Sequence, residues 1–71
     1  MKLKVYGTYI DGRHRVICAC NSFAKFKELT GADINRTSRT NNDDDIRIAM
    51  SKPFQPFFRH GQSEEWKEFI L

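Results

Sequence analysis

The sequence predicts an α+β fold, a two-layer sandwich in which an antiparallel sheet led by an N-terminal β-hairpin carries two short helices on one face. Three observations point there. An Asp11-Gly12 step separates two β-rich runs, 3–10 and 13–20. Two short segments with apolar residues at helical spacing follow. An aromatic run bounded by Pro53 and interrupted by Pro56 then closes the pattern as a strand. The expected order is ββαβαβ with an added C-terminal helix, all in one small domain over 1–71.

The hairpin is the sharpest element. A type I′ turn on Asp11-Gly12 pairs Leu3 with Cys20, Val5 with Cys18, Gly7 with Val16 and Tyr9 with His14 on a buried face. The other face then holds Lys4, Ala19, Tyr6, Ile17, Thr8, Arg15, Ile10 and Arg13, mixed and basic. After Cys20, Asn21 or Ser22 caps a helix that runs to Thr30, Gly31 stops it, and Phe23, Phe26 and Leu29 form its apolar stripe. Residues 32–40 are polar apart from Ile34 and read as a loop or weak edge strand. Asn42 caps a second helix whose first turn holds Asp43, Asp44 and Asp45, three carboxylates that complement the helix dipole. Ile46, Ala49 and Met50 supply its apolar side and Pro53 ends it. Phe54, Phe57 and Phe58 form the last strand, at an edge. Ser63, Glu64 and Glu65 ahead of Trp66, Phe69 and Ile70 fit a short helix over 62–71.

A chain of 71 residues buries only roughly 60% of its unfolded surface. That leaves little room for a deep pocket, a lid and a cofactor site, so a binding module is expected and an enzyme is not. The net charge of +3 is unevenly spread: residues 1–40 sum to +5 and residues 41–71 to −2. Such a charge dipole steers an acidic partner or nucleic acid. Cys18 and Cys20 share one strand face with Cα atoms about 6.6–6.8 Å apart, at the far limit for a disulfide. No apolar run suits a signal peptide or the ~20 residues of a membrane span. A reduced, cytosolic protein with no membrane partner is expected.

The quartet Lys4-Val5-Tyr6-Gly7, the Arg15-Val16-Ile17 strand, and the run Thr40-Asn41-Asn42-Asp43-Asp44-Asp45-Ile46 ahead of Pro53 and an aromatic strand form a recurring arrangement. It resembles short bacteriophage and prophage accessory proteins with a K-V-Y-G opening, a Thr-Gly-Asn-like step and an acidic helix start. The likeness covers about residues 2–59. Asn41 stands where glycine is usual, and the tail from Gly61 has no counterpart. The resemblance implies a phage-encoded factor in the host cytoplasm that binds a host protein, such as a CRISPR or restriction defence complex; it assigns no functional residue.

No catalytic or cofactor constellation emerges. His14 and Cys18, four residues apart on one strand face, lie about 13 Å apart and cannot share an ion. Zinc needs about four ligands at paired spacings. Consecutive aspartates on a helix diverge by about 100°. Neither a nucleophile elbow nor a glycine-rich phosphate loop occurs. Two binding surfaces remain. Phe57, Phe58, Trp66 and Phe69 exceed what a small core readily covers and suggest a protein interface or a homodimer seam, with Asp43 and Asp44 as an acidic patch. The alternative is a small nucleic-acid-binding regulator, with Lys2, Lys4, Arg13, Arg15, Arg36 and Arg39 holding phosphates and Tyr6 stacking a base.

Overall fold

The computed structural model describes residues 2–10, 12–61 and 63–70. The chain forms β1 (Lys4–Ile10), β2 (His14–Cys20), α1 (Phe23–Thr30), a 3₁₀ turn (Ile34–Arg36), β3 (Thr37–Arg39), α2 (Asp43–Ser51), β4 (Phe57–Arg59) and β5 (Lys67–Glu68). The α+β class and the ββαβαβ order hold. All five strands join one antiparallel sheet in the order β3-β1-β2-β4-β5.

Both helices start and stop where their capping residues dictate. Ser22 Oγ accepts the Lys25 N–H at 3.1 Å, and Gly31, in the left-handed region at φ 73°, donates its N–H to the Lys27 carbonyl at 2.7 Å. Asn42 Oδ1 accepts the N–H groups of Asp44 and Asp45 at 2.9 and 3.1 Å, satisfying two donors that the helix cannot pair internally.

The hairpin register differs from the expected one by a single residue. Ile10 pairs with His14, Tyr6 with Cys18 and Val5 with Ala19, leaving a three-residue connection over 11–13. Gly12 sits at φ 73° and the Arg13 N–H donates to the Ile10 carbonyl at 3.2 Å. The Asp11 half of the expected turn lies outside the described residues. Because side chains alternate with period two, the slip regroups them all. Tyr6, Val16, Cys18 and Cys20 now share one face, where Phe26 of α1 completes a core with Phe23 and Leu29. Val5, Ile17 and Ala19 share the other, under Ala49, Ile46 and Ile48 of α2.

The helices therefore cover opposite faces of the sheet, and the expectation that both lie on one face is corrected. β2 is buried from Arg15 to Cys20. Val16 to Cys20 is apolar without interruption, which marks a strand covered on both sides. Two further expectations change. Of the helix expected over 62–71, positions 62 and 71 lie outside the described residues; within the described part, 63–70, Lys67–Glu68 pairs as β5 instead, and β4 is consequently internal, not an edge. Pro56 precedes β4 and accepts the Phe69 N–H at 2.8 Å, which draws the tail alongside.

Candidate interaction surfaces

Capping leaves the first turn of α2 facing solvent on one side and the sheet on the other. Asp43 and Asp44 are exposed, Asp44 forming an i,i+3 pair with Arg47 at 3.4 Å. Asp45 turns inward. Its Oδ2 takes the Arg15 guanidinium at 3.3 Å and the Thr40 hydroxyl at 3.3 Å. Across from α2, the segment after β4 supplies a second wall. A groove of about 600 Å³ runs between them, with Asp44, Arg47 and Ile48 on the helix side and Arg59, Glu64 and Trp66 opposite. At the far end of α2, the capping residue Lys52 pairs with Glu68 of β5 at 3.4 Å.

The aromatic residues do not make a single seam. Phe57 and Trp66 are half-buried against the α2 core, whereas Phe58 and Phe69 are half-buried against the α1 core. Adjacent residues on β4 point to opposite faces, so the four cannot form one patch. Phe58 packs instead with His14 and His60, its ring centroid 5.5 and 4.7 Å from theirs. The large apolar side chains that do reach solvent are Tyr9, Ile34, Met50 and, most fully, Ile70.

The basic hairpin face is corrected more strongly. Tyr6 is buried, its ring centroid 4.4 Å from that of Phe23, so it is no stacking platform. Arg15 is buried in its pair with Asp45. Lys2, Arg13, Arg36 and Arg39 are exposed and Lys4 is half-buried. β3 does pair beside β1 and brings Arg39 opposite Tyr6, but no outward face exists for these cations to share.

A row that the residues alone do not announce crosses the sheet beneath α2. The Arg15 guanidinium lies 4.6 Å from the Tyr9 ring centroid, Arg15 pairs with Arg59 across β2 and β4, and the Arg59 guanidinium lies 5.3 Å from the Trp66 ring. The sequence signal for this row was the β2 register, which the Asp-Gly step obscured. Gly7 is part of it, because a Cβ there would meet Arg15 Nη2 at 2.6 Å. Only glycine leaves the guanidinium its slot.

Cys18 and Cys20 are free, buried thiols. Burial, with a smaller contribution from neighbouring Cys20, pushes the Cys18 thiol up to about 12, and burial also raises that of Cys20. Neither suits nucleophilic chemistry. Among the described residues no group of three or more His, Cys, Asp or Glu side chains is placed to hold a metal ion, and no helix is long and apolar enough to cross a membrane. No protein-family model, curated protein or solved structure matches the chain.

Proposed function

We propose that this chain is a non-enzymatic interaction module that binds and modulates a protein partner through the groove between α2 and the segment following β4. One observation carries the reading. Asp44 on the first turn of α2 and Glu64 in the segment after β4 line facing sides of one groove, and the carboxylates of Asp43 and Glu65 are exposed beside them. Ile48 and the half-buried Trp66 add apolar surface between the charges. Arg47, paired with Asp44, and Arg59 line the same groove, so it fits a partner surface that sets Lys or Arg against Asp43, Asp44 and Glu64 around an apolar anchor: the charges speed and orient encounter, and the buried contact supplies residence time. Of the expected protein-binding residues, Asp44 and Trp66 line this groove, Asp43 is exposed beside Asp44, and Phe57 packs with Trp66 against the same core cluster. The likeness to short phage accessory proteins favours a host protein in the host cytoplasm as the partner. A defence complex that handles nucleic acid presents the required basic surface.

The test is an affinity capture from host extract at physiological salt, run beside an Asp43→Lys/Asp44→Lys variant. Both positions are exposed, and reversing charge in a first helical turn costs only about 0.3–1 kcal/mol each, so the variant stays folded. The reading requires one dominant protein that the variant fails to retain. No enriched protein, or equal capture by the variant, overturns it.

A further inference from the structure

A second hollow lies beyond the α2 groove, at the hairpin end of the sheet. Its volume is about 510 Å³ and its walls are Tyr9, Gly12, Arg13, Arg59 and Gly61. Neither Tyr9 nor Arg13 contributes to the α2 groove. We infer that this hollow binds a nucleotide unit, with Tyr9 stacking the base and Arg13 and Arg59 holding the phosphate.

Tyr9 is 54% exposed, yet its position is set from below: the Arg15 guanidinium lies 4.6 Å from its centroid, and Arg15 is itself held by Asp45 and seated in the slot that Gly7 leaves. An aromatic ring clamped on one side and open on the other loses little freedom when a base stacks on it. The charges point the same way. Arg15 and Arg59 are direct cross-strand partners, an arrangement that repels unless anions compensate. Asp45 compensates Arg15. Among the described residues Arg13 and Arg59 have no carboxylate within ion-pair distance, and Asp44 and Glu64 line the groove on the other side of Arg59.

The surrounding backbone is held for access. Gly61 donates its N–H to His14 Nδ1 at 3.1 Å and accepts from Arg59 through its carbonyl, which fixes both the chain and the guanidinium. Gly12 and Gly61 have positive φ, and a Cβ at either would meet open space. The hollow is bounded there by bare backbone, where a phosphate approaches closely. Two guanidiniums beside a supported ring match a phosphate and its base, the pairing that single-strand binding surfaces use.

Fluorescence anisotropy with a short labelled oligo(dT), and competition by a mononucleotide and by inorganic phosphate, tests the assignment. Binding is expected to weaken with salt, roughly tenfold for Tyr9→Ala, with Tyr9→Phe close to wild type. Arg13→Ala should weaken binding and lower the slope of log affinity against log salt by about 0.7, the value for one single-strand phosphate. Oligonucleotide binding much tighter than that of the mononucleotide assigns a strand, while comparable binding assigns a free nucleotide; either supports the site. No binding by oligo(dT) or mononucleotide overturns it, as does binding that Tyr9→Ala and Arg13→Ala leave unchanged. Charge reversal at Asp43 and Asp44 leaves this hollow intact, so the outcome is independent of the α2 groove.

Discussion

Arg15 and Asp45 form an ion pair at 3.3 Å whose side chains retain only 9% and 11% of their accessible surface. The pair joins the central strand to the first turn of α2, and it takes Asp45 out of the acidic cluster that its sequence neighbours display. Removing one partner leaves the other charge buried. Asp45→Ala is therefore expected to destabilise the fold by roughly 3 kcal/mol, the lower part of the range for broken buried pairs because the contacts here are somewhat long. Urea unfolding measures it. Replacing both residues by apolar ones, Arg15→Met/Asp45→Leu, should recover most of that loss, since a buried pair adds little over well-packed apolar side chains. A double variant as unstable as Asp45→Ala would show that the pair itself, and not the stranded charge, matters.

Gly7 offers an independent probe of the same guanidinium. A methyl group there would sit 2.6 Å from Arg15 Nη2 and 2.8 Å from Cζ, forcing out a side chain that Asp45 and Tyr9 hold in place. Gly7→Ala should cost about 1–3 kcal/mol in the natural background, as overpacking does. In an Arg15→Ala background the same change should be neutral or stabilising, because glycine weakens a strand interior. A thermodynamic cycle over the four proteins isolates the coupling.

The elements most legible in the sequence are the two helices, and the reason is local. Ser22, Gly31 and Asn42 act within a few residues of themselves, so their caps are written in short spacings. The register of β1 on β2 was not legible in that way. Asp11-Gly12 suits a two-residue turn, but a three-residue connection accommodates the same glycine, and alternation could not decide between them because Val16 to Cys20 is apolar throughout. That uninterrupted run was the better signal: it describes a strand buried on both faces and so helices on both sides. The groove depends on the register and on the long-range return of the tail to Pro56, and of the residues that line it only Asp44 and Trp66 are marked by the sequence as binding residues.

Phe54 carries local strain that a substitution series should expose. It adopts φ 67°, the left-handed region, in a turn where the Gln55 N–H donates to the Lys52 carbonyl and Pro53 occupies the preceding position. Glycine is the usual residue there. Phe54 stays because its ring packs on the α1 core and its N–H donates to the Ala19 carbonyl at 2.8 Å. Both Phe54→Ala and Phe54→Gly lose the ring, but only the second relieves the backbone. The glycine variant should be the more stable of the two by about 1 kcal/mol, reversing the ordinary order. Thermal denaturation of the pair decides it; an alanine variant at least as stable would remove strain from the account of this turn.

The buried thiol of Cys18 couples stability to alkaline pH. With its folded value near 12 against 9.0 for the free group, the unfolded chain loses this proton first as pH rises. The stabilisation is fully present below pH 9 and is lost progressively from there towards 12. Between pH 8 and pH 10 one such thiol should lower the unfolding free energy by on the order of 1 kcal/mol. Lysines and tyrosines also titrate at the upper end, so the diagnostic quantity is the difference between the natural protein and Cys18→Ala in urea unfolding at both pH values. The natural protein should lose the larger amount. Parallel losses would mean that the thiol ionises as readily folded as unfolded, and the sealed packing of Cys18 beneath α1 would then have to open on the timescale of the measurement.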